Sequence, residues 1–264
     1  MKSYINGFIL NLQFFSTIPV KKEIPLTNEY IERAIQTFPL LGILQGLMYA
    51  TLCYMLLMVT NLSPLAVAFF LWLFMIILTG GIHLDGWMDT SDAYFSFRQP
   101  KERLDIMSDP RIGAFGVLSV IILLIAKMLF FYEIILRLQT MTYVLIVMVP
   151  FFGKIFMGWI LCLTPLAKDR GMGYFFQRAT KRGTLFIYFF YIILSFLVVW
   201  VWKRHLFLFI MVIGVITSLI FIYVRKKVIH WFGGITGDVA GASVEGVESC
   251  LWMAVWLYHY IGTG

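Results

Sequence analysis

Charge is scarce in this sequence. Asp, Glu, Lys and Arg make up 13% of its 264 residues, where an average soluble domain has roughly 25%. Cysteine is scarcer still: Cys53, Cys162 and Cys250 lie far apart, each in or beside an apolar segment. With no CxxC pair they read as small polarisable core residues, which argues against a disulfide framework. HExxH, GxSxG, a Walker sequence and a recognisable Ser/His/Asp pattern are missing, so the common zinc-protease, serine-hydrolase and P-loop readings have no support. No repeat, low-complexity tract or domain-sized linker breaks residues 1–264, and one domain is expected.

What is abundant is apolar. Hydrophobic residues make up 61% of the chain and mean hydropathy is +0.87. A soluble fold of this length has too little interior to hide that surface, so the sequence predicts an all-α polytopic integral membrane helix bundle. At ~20 mostly apolar residues per span, the candidates are residues 39–60, 64–82, 113–132, 141–163, 184–202, 205–224 and 246–262. The last is short and carries His259, which leaves six or seven transmembrane helices. Residues 1–38 read as an interfacial or re-entrant segment followed by the polar stretch VKKEIPLTNEYIER. Their apolar start is broken by Asn6, Gly7, Asn11 and Gln13 and lacks the small-residue cleavage site of a signal peptide.

The net charge of +7 is not gathered into a basic run long enough for a nucleic-acid groove. Topology explains it better, because Lys and Arg collect in cytoplasmic loops. With the N-terminus inside, the inner segments 1–38, 83–112, 164–183 and 225–245 hold sixteen of the 21 cationic residues. Arg137, Lys203 and Arg204 fall outside, and Lys127 and Lys154 fall within spans. Of fourteen acidic residues only Glu133 is outside. The expectation is a multi-pass protein of the cell membrane with its chemistry in cytoplasmic-side loops.

Three constellations carry that chemistry. In GGIHLDGWMDTSD, Asp85, Asp89 and Asp92 stand at i, i+4 and i+7, which a helix stacks within about 60° on one face. Three such carboxylates repel one another near a membrane, and a divalent cation resolves the conflict. Mg²⁺ suits hard oxygen ligands, using one or two carboxylates with waters and substrate phosphates. The competing reading is a solvated interfacial loop capped by Asp85 or Asp89. The second constellation is GGITGDVAGASVEGVE, with Thr236, Gly237 and Asp238 in a glycine-rich turn and Glu245 and Glu248 one helical turn apart. Such a turn lets backbone N–H groups cradle a phosphate, although Gly-rich turns between helices are common. The third is cationic: Lys101, Arg103, Arg111, Lys168 and Arg170. Carboxylates beside Lys and Arg on one face suit a metal-bound diphosphate. Lys181, Arg182 and the run Arg225-Lys226-Lys227 read as topogenic charge instead. A lone ammonium within a span costs ~2.5–3.5 kcal/mol, so Lys127 calls for a partner inside the bundle. For Lys154 the competing reading is snorkelling, if it lies nearer a boundary. His83 flanks the aspartates as a base or phosphate donor, or as a structural histidine.

These residues resemble the cobalamin synthase family, the adenosylcobinamide-GDP ribazoletransferases or cobalamin 5′-phosphate synthases. The resemblance rests on GGIHLDGWMDTSDAYFS followed by KERLDIMSDPRIGAFGVLS and Lys127, and on GGITGDVAGA with Glu245 and Glu248. LQFFSTIPV near the start, FPLLG at 38–42 and AKDRGMG at 167–173 agree with it, so the match runs the length of the chain. Lys168 and Lys154 stand where the family pattern has Arg, so a planar fork has become a point charge.

The resemblance implies a Mg²⁺-assisted transfer. Adenosylcobinamide-GDP is joined to α-ribazole or its 5′-phosphate, giving adenosylcobalamin or its 5′-phosphate and releasing GMP. The ribose 3′-hydroxyl attacks the cobinamide-linked phosphorus. On this reading Asp85, Asp89 and Asp92, with Asp238, are metal ligands. Lys101, Arg103, Arg111, Lys168, Arg170, Thr236 and Gly237 face the phosphates, and Asp92, Glu245 or His83 takes the hydroxyl proton. The expected partners are the two substrates and the lipid bilayer, with no nucleic acid. A second copy or another enzyme of the pathway is an open alternative. Two rival classes share the bottom-up features: CDP-alcohol phosphotransferases or membrane prenyltransferases, which also use Mg²⁺ and spaced aspartates, and a transporter with carboxylates along its path.

Overall fold

The computed structural model describes residues 2–202 and 204–262; Lys203, counted above on the outer side, lies outside them. The described residues form eleven helices: α1 (Lys2–Phe15), α2 (Asn28–Val59), α3 (Pro64–Thr79), α4 (Ile82–Phe95), α5 (Pro100–Ile106), α6 (Ala114–Leu136), α7 (Thr142–Leu163), α8 (Met172–Arg178), α9 (Phe186–Trp202), α10 (Arg204–Phe232) and α11 (Gly237–Gly262). The protein is an all-α, polytopic membrane bundle.

Length and apolar content single out four helices that can cross a bilayer: α2, α6, α7 and residues 206–232 of α10. A fifth span results if α3 and α4 count as one broken element. The two remaining expected spans fall short for physical reasons. α9 has 17 residues, about 26 Å at 1.5 Å per residue, against a hydrocarbon core of about 30 Å. α11 is long enough but carries Asp238, Glu245 and Glu248 along its first half. α2 begins eleven residues before the expected span, at Asn28, where the Thr27 side chain caps it by accepting from the Tyr30 N–H.

α7 is the central element, buried along nearly its whole length. It meets α2 closely because Gly42 and Gly46 form a small-xxx-small face: a Cβ on Gly46 would lie 2.6 Å from the Cα of Val147. α1 lies on α2, where Asn11 donates its amide to the Ala34 carbonyl at 2.8 Å and to the Thr37 hydroxyl at 2.9 Å.

Two glycine devices position the functional residues. Gly80 and Gly81 both adopt left-handed φ, +66° and +71°, a succession that side chains disfavour. They turn α4 by 86° from α3, so α4 leaves the path of α3. Gly234, at φ +156°, packs against Pro165. There a short parallel bridge joins Leu166 to Ile235, with Ile235 N–H donating to the Pro165 carbonyl at 2.7 Å and Ala167 N–H to the Ile235 carbonyl at 3.1 Å. The loop after α7 is thereby fastened to the turn that starts α11.

Candidate active site

α4 and the start of α11 pack tightly, because a Cβ on Gly86 would lie 2.6 Å from the Asp238 carbonyl oxygen. Beside this crossing is a cavity of about 440 Å³. Its buried lining includes Phe15, His83, Met157, Leu161, Phe176 and Thr236. Asp85 and Arg170 are exposed on it, and Lys168 and Asp238 are half-buried. Members of all three sequence constellations therefore meet on one space, together with α1, α7 and α8. Gly237 also lines it. Lys168 and Arg170 line a second, shallower cavity as well, with Lys101, Asp105 and Asp169.

The carboxylates are not equivalent. Asp85 and Asp238 face the cavity, while Asp89 is one turn along α4 and does not line it. Burial first, then the charges of Asp85, Asp238 and Asp92, push the Asp89 carboxyl up to about 6. Burial also raises the Asp238 carboxyl, an effect that the Lys168 charge partly opposes. Asp92 is engaged elsewhere: its two oxygens accept the N–H of Gly113 at 2.6 Å and of Gly116 at 2.8 Å. It caps α6, a role that its i+7 spacing does not reveal. Among the described residues, no group of three or more His, Cys, Asp or Glu side chains converges closely enough to hold a metal ion by itself. The donor set still suits Mg²⁺, which commonly takes one or two carboxylates and completes its shell with water and phosphate oxygens. Asp85 and Asp89 stand one turn apart on α4, and the charges of Asp85, Asp238 and Asp92 bear on Asp89.

The cationic residues divide too. Lys168 donates to the Leu104 carbonyl at 2.8 Å and to the Ser108 hydroxyl, tying its loop to α5. Arg103 donates to the Trp231 carbonyl at 3.3 Å and lies over the rings of Tyr94 and Phe232. Arg111 pairs with Asp109 at 2.6 Å while 88% exposed. Neither Arg103 nor Arg111 lines the cavity.

Inside the bundle, Lys127 pairs with Glu245. Lys154 is 3.2 Å from His83 Nε2 and 3.9 Å from Glu248, with its side chain 1% exposed. Snorkelling is thus replaced by burial with partners, and two glutamates expected at the boundary reach intramembrane lysines. Glu245 and Glu248 line a separate pocket of about 30 Å³, away from the cavity. Of the three residues expected to take a proton, Asp92, Glu245 and His83, only His83 lines the cavity. It is buried, with its Nε2 against the Lys154 ammonium. The sequence reading missed Phe15, Met157, Leu161 and Phe176, whose apolar character gives no functional signal.

Fold and site together define a multi-pass helical membrane protein with its acidic and basic motifs on one cavity, the arrangement of an enzyme acting on phosphorylated substrates. The chain belongs to the cobalamin-5-phosphate synthase family, whose model matches residues 7–256. It is 38% identical over 259 residues to an adenosylcobinamide-GDP ribazoletransferase of Geobacillus sp. (strain WCH70), covering 97% of both chains. Enzymes of that description from Halalkalibacterium halodurans and Acinetobacter baumannii (strain ATCC 17978) are each 32% identical to it. They cover 98% of both chains in the first case, and 92% of this chain and 94% of the relative in the second. No solved structure matches the chain.

Proposed function

We propose that this protein transfers the cobinamide phosphate of adenosylcobinamide-GDP to the 3′-hydroxyl of α-ribazole or its 5′-phosphate. The ribazoletransferase-type reaction of cobalamin biosynthesis is that of its family. A bond forms between the ribose oxygen and the cobinamide-linked phosphorus, the phosphoanhydride breaks, and GMP leaves. The observation that carries the reading is the single cavity with Asp85 and Asp238 beside Lys168 and Arg170.

Asp85 and Asp89 would hold Mg²⁺ together with the substrate diphosphate. When bound, the ion supplies positive charge to the anhydride and lowers the cost of charge on departing GMP. Lys168 and Arg170 neutralise phosphate oxygens, and Lys101 extends that cationic surface. Asp238 accepts the hydroxyl proton; burial raises its carboxyl and makes it a stronger base than an exposed aspartate. Lys154 orients His83: an ammonium has no acceptor, so its contact with Nε2 leaves the imidazole proton on Nδ1 as a donor. The cavity opens to the cytoplasm, as the placement of the cationic residues favours.

Purified protein incubated with adenosylcobinamide-GDP and α-ribazole is expected to yield GMP and cobalamin by mass spectrometry. Asp85→Ala and Asp89→Ala are expected to lose at least about a hundredfold in turnover. Near wild-type rates from both variants at every Mg²⁺ concentration would overturn the assignment of these carboxylates.

A further inference from the structure

The two cavities at the site differ in character, one apolar and one charged. The inner one, of about 440 Å³, is walled by the buried side chains of Phe15, Met157, Leu161 and Phe176. The Phe15 ring lies 5.7 Å from that of Phe176 and stacks on the His83 imidazole at 5.9 Å with an interplanar angle of 27°. Aromatic and sulfur-bearing walls with a few polar groups suit a flat heterocycle. The outer cavity is open and lined by Lys101, Asp105, Lys168, Asp169 and Arg170 around Leu104 alone of the apolar residues. Lys168 and Arg170 line both, so an anion bridging the two compartments would meet them at the junction.

Resting on the transferase reading above, we propose that the inner cavity is the acceptor subsite: it takes the aromatic-base riboside, and the nucleotide-activated corrinoid stays outside it. Size agrees. Cavities of ~300–1,000 Å³ hold drug-sized ligands, which covers a riboside and not a corrin macrocycle; the donor's guanosine is of riboside size, and the donor KM separates it from the acceptor. Polarity agrees as well, because the base meets the apolar wall while the ribose hydroxyls reach Thr236, Asp238 and His83. The reacting hydroxyl is then presented at the junction, beside the cations that face the diphosphate. Because the wall is apolar, riboside binding needs neither metal nor donor.

Equilibrium dialysis of radiolabelled α-ribazole against the purified full chain in detergent, with EDTA and no donor, reads this directly. The wild type is expected to bind it, and Met157→Trp, which fills the cavity, to weaken binding at least about tenfold. In turnover, Met157→Trp is expected to raise the KM for α-ribazole by a similar factor and to leave the KM for adenosylcobinamide-GDP within about twofold. Leu161→Phe, a smaller intrusion, is expected to shift the same KM in the same direction. Absence of α-ribazole binding by the wild type without donor would overturn the proposal. So would a rise in the donor KM alone in either variant. Failure of the underlying transferase reading looks different: no GMP is released by the wild type from any pair of these substrates, while the dialysis result still reports on the cavity.

Discussion

Asp92 on α4 accepts the backbone N–H of Gly113, 2.6 Å away, at the start of α6. Its other oxygen takes the Gly116 N–H at 2.8 Å, so one carboxylate satisfies two of the four N–H groups that a helix start leaves open. Asp92→Ala is expected to destabilise the protein by about 1–2 kcal/mol, the cost of leaving two part-buried donors unpaired. Asp92→Asn keeps one acceptor and should cost less. In both variants the Mg²⁺ concentration for half-maximal rate should stay at the wild-type value, while thermal unfolding in detergent moves down. A tenfold rise in the Mg²⁺ requirement without loss of stability would instead make Asp92 a ligand.

The i, i+4, i+7 spacing made the one-sided carboxylate stack legible, and composition made the membrane bundle legible. Asp85, Lys168, Arg170, Thr236, Gly237, Asp238 and His83 do share one cavity. What lay beyond the sequence was decided by tertiary partners. Arg103 has the charge of a phosphate ligand, yet Tyr94, Phe232 and the Trp231 carbonyl occupy it. Glu245 reads as an acid on the helix leading into the last span until Lys127, over a hundred residues away, is placed against it. The bend at Gly80 and Gly81 depends on backbone conformation, which apolar content alone does not register.

Asp89 predicts a pH dependence with a definite sign. Its carboxyl is raised to about 6, from about 4 in an unfolded chain. The folded state thus holds this proton more tightly, and metal-free stability falls as pH rises from about 4 to about 6. Asp89→Asn removes that loss. Its melting temperature relative to wild type should climb across the same window and then level off, as read by thermal scans in EDTA. With Mg²⁺ present the order should reverse above pH 6, because the wild-type anion then has its counter-ion. For the same reason the wild-type requirement for Mg²⁺ should rise as pH falls through about 6.

Gly86 tests whether the crossing of α4 and α11 sets the site. An added methyl would meet the Asp238 backbone at 2.6 Å, and overpacking of that kind costs about 1–3 kcal/mol. Gly86→Ala should therefore fold with reduced stability. It should also lose at least about tenfold in turnover, because the shift falls on Asp238 itself. Gly246, whose added Cβ would approach only the Trp87 ring at 3.4 Å, is the control. Gly246→Ala should keep turnover close to wild type, measured as GMP release under identical conditions.

The Lys127–Glu245 pair carries the last prediction. Both side chains are nearly buried, at 11% and 8% exposure, and neither lines the cavity. Removing one partner leaves an uncompensated charge, which costs about 3–5 kcal/mol, whereas replacing both with apolar residues can be close to neutral. Lys127→Met and Glu245→Leu should each lower thermal stability sharply, and the double variant should recover most of the loss. Turnover should follow stability through the series, with the double variant active again. A double variant that is stable but inactive would show that the pair does more than hold the fold, through its charge on His83 or through the reaction itself.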